Sequence, residues 1–191
     1  MPPKPGVSRE DVLNEAVALV RESGFERINA RALAERLGCS TRPLFRLYRG
    51  MDDLKADVKK RLDELYEEFM ETRMQEENRL LTQGIAYVEF ARTEKEIFRA
   101  LFLTRTMEGQ SLGDIVQAEW NQHSIENARQ VTGLSRKAAE RLFLNIWLYS
   151  HGIASQILSN GIDLPHEYVE RLMKQAFDSF VEQENREEEG N

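Results

Sequence analysis

The stretch Asn29-Ala30-Arg31-Ala32-Leu33-Ala34-Glu35-Arg36-Leu37-Gly38-Cys39-Ser40-Thr41-Arg42-Pro43-Leu44-Phe45-Arg46-Leu47-Tyr48-Arg49 decides how this 191-residue chain folds. It holds two short helical patterns on either side of a glycine. In the first, Asn29 supplies an N-cap and Ala30 to Leu37 presents Leu33, Ala34 and Leu37 on one face. Gly38 provides the left-handed residue that ends this helix and permits a sharp turn. Ser40 then caps a second helix of about two turns that reaches Arg49. Pro43 falls in its first turn, where a missing N–H costs little. Two short helices joined this way read as a helix-turn-helix, the second being the element offered to a DNA major groove.

Leu44, Leu47 and Tyr48 point inward in this reading, and Thr41, Arg42, Phe45, Arg46 and Arg49 point outward. Arginine can fork onto guanine or clamp a phosphate, and a threonine methyl or an aromatic edge can meet a thymine methyl. Arg31, in the first turn of the preceding helix, is placed for the groove or its rim. Ser40 and Tyr48, at the two ends of the recognition helix, complete the candidate DNA-binding set. Arg9 and the arm around Lys4 are further candidates for backbone contacts. On composition alone, the same arginines would equally well solvate a small helical bundle.

Outward from this stretch, Ser8 and Asp11 form a capping pattern. Val12, Leu13, Ala16, Val17, Leu19 and Val20 then recur on one helical face up to Ser23-Gly24. Helical periodicity dominates the chain up to about Gln183, with no run of alternating β-branched residues, so the fold class is all-α. The hydrophobic content of 41% excludes disorder. No apolar run approaches the roughly 20 residues needed to span a bilayer, and Met1-Pro2-Pro3-Lys4-Pro5 lacks a signal h-region, so a cytoplasmic location is expected and no membrane partner. The net charge of −7 hides an asymmetry. Residues 1–60 hold 12 Lys and Arg against 9 Asp and Glu, whereas the other 131 hold 14 against 24. A mildly basic head on an acidic body suits a DNA reader joined to a different working domain.

Residues Ser8 to Leu54 resemble the DNA-binding region of TetR family transcriptional regulators. The segments that carry the resemblance are Glu22-Ser23-Gly24-Phe25, Ile28 to Ala34, Leu37-Gly38-Cys39-Ser40, Leu44 to Arg49 and Asp52-Asp53-Leu54. The resemblance implies three DNA-binding helices, a fourth that links them to a ligand-binding body, and two final helices that make a homodimer. It further implies that Arg31, Thr41, Arg42, Phe45 and Arg46 contact an operator, with Arg49 near the backbone. Two positions depart from the family pattern. Phe45 stands where most members have Tyr, and Met51 where many have a phosphate-binding Lys. Both departures remove backbone contacts and shift the expected affinity onto Arg46 and Arg49.

The domain boundary is expected at residue 50, with 1–50 binding DNA and 51–191 binding ligand and partner. A connector helix should run from Met51 to about Arg79. Later helices are expected at Leu81 to Ala91, Glu94 to Thr106, Leu112 to Thr132, Arg136 to Ser159 and Pro165 to Gln183, punctuated by Gly109, Gly133 and Asn160-Gly161, with a frayed tail from Glu182. A small-molecule effector would need rings with a few polar tips. Candidates are Phe98, Phe102, Trp120, His123, Phe143, Trp147 and His151, with Tyr66, Phe69, Tyr87, Phe90 and Met107 as further possibilities. At helical spacing any of them can equally be core filler. Ile146, Ile153 and Ile157 on one long helix, with Leu172, Ala176 and Phe180 on the next, make two apolar stripes that can pair with a two-fold copy or face the protomer core.

Three histidines without zinc spacing give no metal site, and no nucleophile-elbow, phosphate-cradling or paired-carboxylate pattern points to an enzyme. No cofactor is expected. Cys39 has no second cysteine to resolve an oxidised thiol and reads as packing. The expected function is a homodimeric repressor that leaves a double-stranded DNA operator when an effector binds. The alternative is a module of the same shape, binding ligand or protein, that has lost operator specificity.

Overall fold

The computed structural model describes residues 6–104 and 111–190. Lys4, Met107 and Gly109 lie outside the described residues. Among those described there are ten α-helices and two short 3-10 turns, with no strand. Contacts divide the chain into two compact units, residues 1–67 with 94–106, and residues 68–93 with 107–191. The unit that holds the helix-turn-helix therefore extends past residue 50.

In the first unit, α1 (Arg9–Ser23) opens with a reciprocal capping box between Ser8 and Asp11 and buries Val12, Ala16, Val17, Leu19 and Val20. The box satisfies two backbone groups that a helix start otherwise strands. Gly24 ends α1 at φ 87°, and a 3-10 turn, Phe25–Arg27, leads to the buried Ile28. Asn29 caps α2 (Ala30–Arg36) by accepting from the Arg31 and Ala32 N–H groups. Gly38, at φ 61°, makes the left-handed turn read from the sequence.

The next helix is shorter than expected. α3 spans only Leu44–Leu47, and Pro43, not Ser40, occupies its N-cap position with no side-chain cap. Residues 41–43 form a bend and a turn instead of helix. Four helical residues are too few to be stable alone, so α3 depends on Leu44 and Tyr48, which are 1% and 3% exposed. Then α4 (Met51–Glu71) buries Leu54, Val58 and Leu62 at four-residue spacing. α6 (Lys95–Phe102), which follows α5 (Arg79–Thr93) in sequence, packs on α1 in this unit and buries Ile97, Phe98 and Leu101. Both Arg21 guanidinium contacts go to Glu94.

The connector stops at Glu71, well before Arg79. The Thr72 hydroxyl donates back to the Phe69 carbonyl, and after a 3-10 turn at Glu76–Asn78 a separate helix, α5, begins. Asn127 accounts for this break. Its amide donates to the Glu76 carbonyl at 2.7 Å, and its carbonyl accepts from the Arg79 N–H at 2.8 Å.

In the second unit α5 packs against α8 (Glu119–Thr132), α9 (Arg136–Asn160) and α10 (His166–Glu189). Leu80, Val88, Ile125, Ala128, Leu142, Phe143, Ile146, Val169 and Met173 form their shared core. Gly84 sits where α5 meets α9 and α10: a Cβ there would lie 2.5 Å from the Met173 terminal methyl and 3.1 Å from Ile146 Cγ2. The single helix expected over Leu112 to Thr132 is broken at Ala118 into α7 (Leu112–Gln117) and α8. Asn121 donates to the Ile115 carbonyl and Gln122 to the Val116 carbonyl, which satisfies the end of α7 without a continuous helix.

The expected frayed tail is helical to Glu189. Glu184 is buried and accepts from Arg141 of α9 through Nε, at 2.8 Å, and through Nη2. Glu188 accepts from the Ser135 N–H, at the start of α9. The acidic run had partners that its own composition did not reveal.

Candidate nucleic-acid interface

Arg42, Phe45, Arg46 and Arg49 are exposed around α3, and Arg31 is exposed at the start of α2. Phe45 leaves 52% of its surface in solvent, an unusual position for a large ring on a small unit. Thr41 is half-buried and Ser40 exposed. Tyr48 departs from the set. Its ring is buried, and its hydroxyl donates to Asp57 Oδ2 of α4 at 2.8 Å, so it supports the surface from below and is not available to a groove. Burial, and then the Asp57 carboxylate, push its phenol up to about 12.

Pairing separates the arginines of this unit into two groups. Arg36 bonds Glu15 at 2.9 Å and Glu22 at 2.7 Å, Arg21 holds Glu94, and Arg9 holds Asp57 at 2.7 Å. The guanidinium groups of Arg31, Arg42, Arg46 and Arg49 have no acidic or hydrogen-bonding partner among the described residues. Arg27, in the turn before α2, is exposed and likewise unpaired. The sequence reading missed it, although a basic residue two positions before a helix cap was a signal in plain view. Arg42, Arg46 and Arg49 around α3, with Arg27 and Arg31 flanking the start of α2, are unpaired cations that can neutralise phosphates and release their counterions. Cys39 is partly buried in the turn.

The residues proposed for an effector are distributed differently from the expectation. In the first unit Phe98 is fully buried and packs on Phe102, with ring centroids 4.9 Å apart, and Tyr66 meets Phe102 edge-on at 4.9 Å. In the second unit Trp147 and His151 stack with centroids 5.7 Å apart and planes 16° from parallel. The His151 Nδ1 lies 2.9 Å from the hydroxyl of Tyr87, itself 5% exposed. Burial holds the His151 imidazole below its usual value and favours the neutral ring. Phe143 belongs to the core of the unit. Trp120 and His123 do not join this cluster. Trp120 is 80% exposed, and His123 is an exposed residue whose Nε2 lies 3.1 Å from Glu76 Oε2. The break at Ala118 separates Trp120 from the helix phase that the sequence assumed.

On α9 and α10 the stripe expected to meet a second copy is split. Ile146 and Ile157 are buried within the protomer, the second of the two arrangements that the stripe allowed, and leave the candidate dimer set. Ile153, Leu172, Ala176 and Phe180 remain half-buried, beside exposed Leu148 and Tyr168. Among the described residues, no group of three or more His, Cys, Asp or Glu is arranged to hold a metal ion, and no helix is long and apolar enough to cross a membrane.

No protein-family model matches the chain, and no curated protein matches its sequence significantly. Solved structures do share its fold. A protein of unknown function from Rhodococcus sp. RHA1 is 21% identical with a TM-score of 0.63, the match covering 96% of this chain and 98% of that one. A point variant of TetR from Acinetobacter baumannii AYE, solved in complex with minocycline, is 18% identical with a TM-score of 0.55, over 94% of this chain and 97% of that one. At these identities the likeness shows a TetR-like, all-helical fold.

Proposed function

We propose that this chain is a TetR-like, DNA-binding transcriptional regulator that acts as a homodimer and is released from its operator by a small molecule. The observation that carries the reading is the sorting of arginines: those with structural work are ion-paired, and those around α3 are not. An unpaired arginine cluster gains nothing for the folded chain and is suited to phosphates and guanine edges. Arg31, Thr41, Arg42, Phe45, Arg46 and Arg49 are the proposed operator contacts. No side chain is assigned a catalytic role.

The half-buried stripe of Ile153, Leu172, Ala176 and Phe180 supplies the proposed dimer face, which places two recognition elements on one duplex. Successive major grooves then require them to lie about 34–36 Å apart. The effector is proposed to engage the Trp147, His151 and Tyr87 cluster, where flat rings adjoin polar tips. It shifts the equilibrium only by its differential affinity for the DNA-competent and incompetent states, so DNA must weaken its binding reciprocally.

Selection of bound duplexes from a random pool tests the first half of the reading. Enrichment of a two-fold-symmetric site is expected, and equal affinity for selected and sheared genomic DNA would refute it in favour of a module without operator specificity. Small molecules that release the selected site, in a screen by fluorescence anisotropy, test the second half.

A further inference from the structure

Asp57 joins three parts of the head. Its Oδ2 accepts from Arg9 Nε, at the first residue of α1, at 2.7 Å, and from the hydroxyl of Tyr48, the residue that follows α3, at 2.8 Å. The Arg9 guanidinium also lies over the Tyr48 ring, 4.9 Å from its centroid. Arg9 and Tyr48 hold the Asp57 carboxyl below the usual carboxylate range. Lys60, one turn further along α4, adds a weaker attraction to the same carboxylate. The Asp57 side chain is 18% exposed and that of Arg9 54% exposed, so the pair reaches solvent beside Tyr48, the residue that follows α3.

We infer that Asp57 is a positioning residue for DNA recognition, which pins Tyr48 beneath α3 and withholds Arg9 from the phosphate backbone. The inference rests on the DNA-binding reading. α3 has four residues and no side-chain cap, so its orientation is set by what Leu44 and Tyr48 hold. Tyr48 adjoins Arg49 and lies two residues past Arg46, and movement of its ring carries both. Base readout depends on that placement, whereas non-specific affinity depends only on how many cations are free to displace counterions. A carboxylate that neutralises one cation and fixes the recognition element lowers the second quantity and raises the first.

The test uses the full chain and its Asp57→Asn, Arg9→Gln, Arg9→Gln/Asp57→Asn and Tyr48→Phe variants. Affinity is measured against salt for a mixed-sequence duplex of roughly 30 base pairs, long enough for successive major grooves, and for the site selected from a random pool. Asp57→Asn frees Arg9, and its log–log salt slope on mixed-sequence DNA should steepen by about 0.9, or about 3.5-fold more loss of affinity per fourfold rise in salt. Arg9→Gln should keep the wild-type slope, and the double variant should return to it. The ratio of selected to mixed-sequence affinity should fall about tenfold in Asp57→Asn and in Tyr48→Phe, on the scale of one lost base contact. If Asp57→Asn does not fold by circular dichroism, the Tyr48→Phe ratio and the Arg9→Gln slope decide the matter. The inference is overturned if wild type prefers its selected site while Asp57→Asn keeps the wild-type slope, if Arg9→Gln flattens it, or if Tyr48→Phe keeps the ratio. A wild-type chain that binds no duplex overturns the DNA-binding reading itself, and this inference with it.

Discussion

Replacing Arg141 with methionine should destabilise the protein more than replacing its partner Glu184 with glutamine. The pair is asymmetric: the Glu184 side chain is 2% exposed and that of Arg141 47%. Removing the arginine leaves a buried carboxylate without its partner, which costs about 3–5 kcal/mol when both partners are buried. Arg141 stands half in water, so screening reduces the expected figure to about 2–3 kcal/mol. Glutamine at 184 fills the same volume and still offers an oxygen to the guanidinium, losing only the charge-assisted part of the bond, about 1 kcal/mol. Arg141 also retains Glu187, at 3.6 Å, as a second acceptor. For a chain of this size, 2–3 kcal/mol corresponds to a fall in Tm of about 4–12 °C. Urea unfolding followed by circular dichroism, at one fixed protein concentration, measures both costs. Hydrogen exchange should show faster opening of the last turns of α10 in Arg141→Met. Equal costs, or a larger cost for Glu184→Gln, would mean that the carboxylate is solvated in solution and that α10 is not anchored through it.

Arg46→Ala and Arg31→Ala should each weaken binding to a selected duplex about tenfold, as expected for one lost base or clamp contact, whereas Arg36→Ala should lower Tm and leave the affinity of the folded fraction unchanged. Fluorescence anisotropy with a labelled duplex separates the two classes. Gly84→Ala should be close to neutral in urea unfolding, since a helix gain of about 1 kcal/mol offsets a clash that the flexible end of Met173 can relieve. Gly84→Val should cost about 2 kcal/mol or more, because its branches meet the stiff Ile146 side chain as well. The folded state holds His151 below its ordinary value of 6.5, so the unfolded chain binds the proton first as pH falls. The stability from keeping this ring neutral is present above pH 6.5 and is lost as pH drops towards the lower folded value. His151→Gln should therefore flatten the dependence of the urea midpoint on pH between about 5 and 7. An unchanged slope would place the ring in water.

How far the fold could be read from the sequence depended on whether the deciding partner was near or far along the chain. Asn29, Gly38, Ser8 and the Val12 to Val20 stripe act within their own turns, and the structure has the caps, the stop and the buried face where they predict them. The breaks at Thr72 and Ala118, by contrast, are fixed by Asn127, Asn121 and Gln122, whose amides satisfy carbonyls or amides of other segments. Periodicity carries no trace of such bonds. The acidic tail failed for the same reason, since Arg141 lies 43 positions away. In the candidate site, residue types marked the arginine cluster, but only geometry could separate Arg9, paired with Asp57, from Arg46. The sequence marks Tyr48 both as an inward residue and as a member of the contact set, and its burial and its bond to Asp57 agree with the first.

The brevity of α3 has a consequence for how such a head can change. Its buried anchors, Leu44 and Tyr48, and its outward residues, Thr41, Arg42, Phe45 and Arg46, are disjoint sets on one short segment. No side chain caps the helix, and Arg42, Phe45 and Arg46 are exposed, so these three can be exchanged with little disturbance to what holds the segment in place, while the half-buried Thr41 tolerates small replacements. Stability and target preference then become separately adjustable. Under the proposed DNA-binding reading, a library confined to those four positions can be screened for new duplex sequences with folding left nearly constant.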